Sequence, residues 1–174
     1  LGQNPKHYVT PTSGVVDLLA GVRDAWPKNV SMQSQGIEKM RPRIQQGLRG
    51  LIEGFYAAEL AEDRVVFDKS RGWPAYLEML DASFGEPQKV VLVVRDVRAI
   101  LASFEKLHRK NPVARHGING ESFPAAQTTE GRARLLLAPG GVVGIAINRV
   151  RGLRQRGLGD RSVVVPYRQL TQHP

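Results

Sequence analysis

The sequence predicts an α/β fold, a parallel sheet flanked by helices on both faces, and three observations carry that prediction. Short β-branched runs alternate with longer stretches of helical period, the pattern of strands joined by helical crossovers. The clearest run, Lys89-Val90-Val91-Leu92-Val93-Val94, is apolar at every position after Lys89, as expected of a strand covered on both faces. With 174 residues and 41% hydrophobic content, the chain is long and apolar enough to bury a real core.

The elements follow in order. From Ser13, apolar residues at Val15, Leu18, Leu19 and Val22 mark one face of a helix, with Ser13 as its expected N-cap and Pro27 as its stop. A second helix is expected from about Arg41 to Leu60, with Ile44, Leu48, Leu51, Ile52, Phe55 and Tyr56 on one stripe and Pro42 tolerated in the first turn. Arg64-Val65-Val66-Phe67-Asp68 reads as a buried strand, residues 73–83 as a helix that Gly85-Glu86-Pro87 ends, and residues 89–94 as the second strand. Arg95 to His108 is expected as a helix with Ile100, Leu101, Phe104 and Leu107 inward. Residues 109–140 are expected as a long loop or lid, because Pro112, Gly117, Gly120 and Pro124 interrupt any period. A helix over 141–156 and a last strand at Ser162–Tyr167 complete the series. Three strands are few for such a sheet, so at least one is missing from this count.

Composition narrows the function. There is no cysteine, which excludes a disulfide framework, a thiol nucleophile and thiolate metal sites. His7, His108, His116 and His173 lack the spacing of a metal pair, so no metal is expected. No apolar run of membrane-spanning length and no signal pattern is present, so the chain is expected to be soluble and cytoplasmic, without a membrane partner. The 25 Lys+Arg exceed the 16 Asp+Glu by nine, and arginine supplies 18 of the basic residues. That excess fits either a solvated basic surface or an anion site. Aromatics at 6% supply few stacking platforms, which makes nucleic acid an unlikely partner.

In a parallel α/β sheet, ligands bind beyond the carboxyl ends of the strands. Those ends carry Asp68, Lys69, Ser70 and Arg71; Arg95, Asp96 and Arg98; and Tyr167 and Arg168. All three sets include cations, so an anion is expected there. At the second end, Arg95 closes the strand, Asp96 is placed to cap the next helix, and Ser103 lies two turns further along roughly the same face. An arginine, a helix N-terminus and a hydroxyl together suit a phosphate.

The stretch Arg95-Asp96-Val97-Arg98-Ala99-Ile100-Leu101-Ala102-Ser103 resembles the Arg-Asp-x-Arg…Ser motif of sulfotransferases that use 3′-phosphoadenosine 5′-phosphosulfate. Val65 to Trp73 looks like the preceding strand and catalytic edge of that family, and Val164 to Leu170 with His173-Pro174 is similar to its Tyr-Glu-x-Leu segment. The likeness is nearest to the bacterial branch and the related tyrosylprotein sulfotransferases. It implies a three-layer, P-loop NTPase-like parallel sheet. It also implies transfer of a sulfuryl group from that donor to a hydroxyl on a peptide tyrosine, a saccharide or a small alcohol, leaving adenosine 3′,5′-bisphosphate. By the same resemblance Arg95 and Ser103 would take the 3′-phosphate, Tyr167 would belong to the nucleotide site, and Lys69 would hold the sulfuryl group as both donor-binding and catalytic residue.

Two departures accompany the likeness. Arg71 stands where the cytosolic branch has a histidine base, and Thr10-Pro11-Thr12-Ser13 lacks the glutamate of the tyrosylprotein branch, leaving Asp68 and Asp17 as the nearest candidates for the base. The family's Gly- and Ser/Thr-rich loop for the 5′-phosphosulfate is absent from these residues, and Leu1-Gly2-Gln3-Asn4-Pro5 looks like the tail of the helix that follows it. One single, N-terminally truncated and incomplete sulfotransferase domain is therefore expected over residues 1–174, an enzyme in its complete form, with an inactive fragment as one expectation for the chain by itself. A P-loop-type phosphotransferase and a basic nucleic-acid-binding module remain the alternatives.

Overall fold

Two stretches of alternating strand and helix fold into two compact units, residues 1–88 and 89–174. The computed structural model describes residues 2–112 and 124–172. The chain is α/β, with small parallel sheets among many helices.

In the first unit, β1 (His7–Val9) pairs in parallel with β2 (Val65–Phe67), in the register His7↔Val65, Tyr8↔Val66 and Val9↔Phe67. β1 is a strand the sequence reading lacks. Three residues between Pro5 and Pro11 are too few to show a period. Of residues 1–5, expected as the tail of a helix, residue 1 lies outside the described residues, and residues 2–5 are turns and a bend leading into β1. Helix α1 (Val15–Ala25) follows with Gly14 as its N-cap, one residue later than expected, and buries Val15, Val16 and Leu19. A short α2 (Val30–Ser34) is capped by the Asn29 side chain, which accepts from the Met32 amide at 3.1 Å.

The second expected helix starts four residues early. α3 (Ile37–Phe55) begins after Gly36, whose φ of 92° lies in the left-handed region that glycine adopts without strain. Pro42 consequently sits inside the helix, beyond its first turn. Tyr56 breaks the expected continuation, and α4 (Ala57–Ala61) is a separate turn of helix. The residues expected as one helix over 73–83 are a 3₁₀ turn at Trp73–Ala75 and then α5 (Leu77–Phe84), ended by Gly85 at φ 75° as anticipated. Met40, Leu48, Tyr56, Trp73 and Leu77 join the buried residues of α1 in the core of this unit.

In the second unit, β3 (Val90–Val94) pairs in parallel with β4 (Ser162–Pro166), from Val90↔Ser162 to Val94↔Pro166. Strand pairing among the described residues therefore gives two two-stranded sheets rather than the single sheet expected from three strands. Burial on both faces is not met either. Leu92 is buried, whereas Val91, Val93 and Val163 are 43%, 54% and 60% exposed.

Between the two strands run α6 (Val97–Lys110), α7 (Thr129–Leu137) and α8 (Val142–Gln155), and α9 (Tyr167–Gln172) follows β4. Helix α7 and a 3₁₀ turn at Pro124–Gln127 correct the expectation of a loop over 109–140; residues 113–123 of that stretch lie outside the described residues. The reason is local. Thr128 caps α7 by accepting from the Gly131 amide at 3.0 Å, while Gly131, Arg132 and Arg134 dilute the apolar period that would have announced a helix.

Long-range pairing fixes α7. Arg132 is buried and donates to Glu105 of α6 from Nε at 2.8 Å and from Nη2 at 2.7 Å, with Nη1 donating to the Ala126 carbonyl at 2.9 Å. Helices α7 and α8 together are apolar and long enough to cross a membrane, but Pro139 and the neighbouring glycines divide them. Gly144 lets α8 start tight against the chain before it, since a Cβ there would lie 1.9 Å from the Ala138 carbonyl oxygen.

Candidate functional site

The end of β3 holds the group of residues best suited to bind a ligand. Asp96 caps α6 as its position promises. Its Oδ1 accepts from the amides of Arg98 at 2.7 Å and Ala99 at 3.4 Å. The Arg98 side chain folds back onto the same carboxylate at 3.1 Å, and that hydrogen bond is the main reason the Asp96 carboxyl is held below the usual carboxylate range. Arg98, 92% exposed and engaged in this way, is a neighbouring charge, as its place on the helix suggested.

Arg95 behaves differently. No carboxylate among the described residues pairs with it; its guanidinium instead lies over the ring of Tyr167, 4.7 Å from the centroid. The strand register explains the meeting. Val94 is paired with Pro166, so the next residue of each strand, Arg95 and Tyr167, emerges at the same end of the sheet. Val94, Arg95, Asp96, Pro166, Tyr167, Arg168 and Thr171 line an open cleft of about 490 Å³. Ser103 lies further along α6, exposed, and is not among the lining residues. Of the residues expected at the nucleotide, the structure thus brings Arg95 and Tyr167 together and leaves Ser103 apart from them. Arg168 joins them, as its place directly after the last strand allows.

The end of β2 is arranged for another purpose. Asp68 accepts hydrogen bonds from the Ser13 hydroxyl, the Tyr56 hydroxyl and Trp73 Nε1, the last at 2.8 Å. Ser13 also accepts from the Val15 amide at 3.4 Å, so the expected capping residue serves both the helix start and the carboxylate. Tyr56 is buried, and desolvation, reinforced by its bond to Asp68, pushes its phenol well above the ordinary tyrosine value. Asp68 was a candidate base. Its carboxylate already serves three donors and ties α1, Tyr56 and the Trp73 turn together, which leaves little capacity to receive an acceptor proton.

Asp17 lies exposed in the first turn of α1, where a carboxylate is favoured by the helix dipole. Lys69 has its amide fixed by donation to Thr10 Oγ1 at 2.8 Å, while the residue itself stays exposed at the strand end.

Sequence reasoning missed the cluster around Glu105, because Glu105 and Arg132 are 27 residues apart and nothing local marks them as partners. Arg109 adds a third contact at 2.8 Å. The donors from Arg132 first and Arg109 second pull the Glu105 carboxyl down to about 2. Leu101, Phe104, His108, Ala133 and Leu136 line a groove of about 260 Å³ beside it.

The chain matches no protein-family model, no curated protein and no solved structure. The functional reading therefore rests on the residues and their geometry.

Proposed function

We propose that this chain carries part of the donor site of a sulfotransferase that moves a sulfuryl group from 3′-phosphoadenosine 5′-phosphosulfate to a hydroxyl acceptor. The fold finer than α/β, a three-layer P-loop NTPase-like sheet, belongs to the same proposal. One observation carries it: among the described residues no carboxylate pairs with Arg95, which stands at the end of β3, beside the capped N-terminus of α6 and against Tyr167 from the neighbouring parallel strand.

The chemistry suits that arrangement. In sulfuryl transfer the acceptor oxygen bonds to sulfur as the bond from sulfur to the bridging phosphate oxygen breaks, and the acceptor proton passes to a base. The nucleotide must be held still while this happens. A guanidinium held against a ring, with no carboxylate among the described residues paired to it, is well placed to take the 3′-phosphate. Ser103, which the resemblance assigns to the same phosphate, lies two turns along α6 and outside the lining of this cleft, so the contact is assigned here to Arg95. Lys69 would neutralise charge on the sulfuryl oxygens, the task of a mobile point charge. Asp17 remains available as a base, since it is exposed, whereas Asp68 is held by its three donors. A cytoplasmic setting and a peptide tyrosine, saccharide or small-alcohol acceptor go with this reading.

Calorimetric titration with adenosine 3′,5′-bisphosphate tests it. The wild-type chain should bind, and Arg95→Ala should lose that binding. Equal binding by both would overturn the assignment of Arg95. Tighter binding of ATP than of the bisphosphate would favour a phosphotransferase instead.

A further inference from the structure

The cleft at the end of β3 contains more positive charge than one phosphate contact requires. Its lining includes one carboxylate, Asp96, and that group is already engaged by the Arg98 guanidinium and by two α6 amides. Arg95 and Arg168 line the same space, and among the described residues neither is paired with a carboxylate. Two arginines with which no carboxylate among the described residues pairs, facing one cleft, form a site for a doubly charged anion.

The backbone places them. Arg95 follows Val94 and Tyr167 follows Pro166, its paired residue, so the arginine of one strand end meets the aromatic ring of the other. The Arg95 Cζ lies over the ring, 4.7 Å from its centroid, and this cation–π contact holds the guanidinium through the ring face rather than through its N–H donors. Arg168 is the next residue after the ring, in the first turn of α9, where Thr171 Oγ1 donates to the Arg168 carbonyl at 3.0 Å. Ring and second cation thus come from consecutive residues on one fixed turn.

We infer that Arg168 is a second phosphate-binding residue, that Tyr167 is a positioning residue for Arg95, and that the cleft takes a phosphate monoester dianion between the two arginines. This rests on the nucleotide reading only in naming the monoester as the 3′-phosphate; the clamp itself follows from the cleft. Tyr167 acts here through Arg95, by holding its guanidinium, and its hydroxyl has no part in the task.

The test is a set of calorimetric titrations of the full chain with adenosine 3′,5′-bisphosphate and, in parallel, with inorganic pyrophosphate. Arg168→Ala should weaken the bisphosphate about tenfold, the loss expected for one charge-assisted contact, and should make binding less sensitive to salt. Tyr167→Ala should weaken it as much as Arg95→Ala does and add no further loss when combined with it, while Tyr167→Phe should recover most of the affinity. Binding by Arg168→Ala equal to wild type overturns the clamp while leaving the nucleotide reading intact. Additive losses from Tyr167→Ala and Arg95→Ala overturn the positioning role. If the bisphosphate does not bind but pyrophosphate does, and both arginine variants lose it, the clamp stands and the nucleotide reading falls. Failure of both ligands to bind the wild-type chain overturns both.

Discussion

The two units use the same place in their topology in opposite ways. In residues 1–88 the strand β2 ends in a carboxylate, Asp68, surrounded by hydroxyl and indole donors; in residues 89–174 the strand β3 ends in a guanidinium, Arg95, set over an open cleft. Charge divides the same way. Residues 89–174 carry 15 of the 25 Lys+Arg but 5 of the 16 Asp+Glu, so the whole excess of positive charge belongs to the second unit. A strand end that is chemically suggestive in sequence can therefore be a closed structural knot or an open site. What separates them is whether nearby groups already meet the hydrogen-bonding capacity of its polar side chain.

The largest effect should come from breaking the knot. Asp68→Ala leaves Ser13, Tyr56 and Trp73, all buried, without their acceptor and should cost about 4 kcal/mol in urea unfolding, a few times the penalty of one orphaned donor. The phenol of Tyr56 sharpens the point. Its pKa is raised in the folded state, so its contribution is fully present below about pH 10 and is lost as pH climbs toward the folded value. Alkaline unfolding of the first unit should therefore be steeper in wild type than in Tyr56→Phe. Unchanged profiles would mean that the bond to Asp68 is of no consequence.

Next in size is Gly144→Ala in the second unit. The added Cβ would meet the Ala138 carbonyl at 1.9 Å, a backbone atom that cannot swing aside, and the expected loss is about 2 kcal/mol by thermal or urea unfolding. It should leave residues 1–88 as stable as before if the two units hold their cores independently.

Smaller at neutral pH is the effect of Glu105. Its carboxyl is lowered to about 2 by Arg132 and Arg109, so its contribution is present above about 4.5 and disappears as pH falls toward 2. Stability of the second unit should drop across that acid window, and Glu105→Gln should flatten the drop. A wild-type curve with no slope there would remove Glu105 as the fastening between α6 and α7.

Much of the strand and helix pattern was legible in the residues, since β2, β3, β4, α1, α6 and α8 announce themselves by period and composition. What was not legible shares a physical cause. β1 is too short to show alternation. α7 is held by Arg132 reaching Glu105 across 27 residues rather than by its own period, and the pairing of strands into two small sheets depends on contacts distant in sequence. At the site, Arg95, the Asp96 cap and Tyr167 could be read from their places after strands. The saturation of Asp68 could not, because its donors come from residues 13, 56 and 73. Arg168 was visible as a strand-end cation, but only the cleft shows it beside Arg95.

The most direct test of the account is where the nucleotide lands. In ¹⁵N-resolved NMR of the full chain titrated with adenosine 3′,5′-bisphosphate, the largest shifts should fall on the amides of residues 94–99 and 167–171 and on the Arg95 side-chain Nε. Shifts concentrated instead at residues 65–73, with residues 94–99 unmoved, would contradict it.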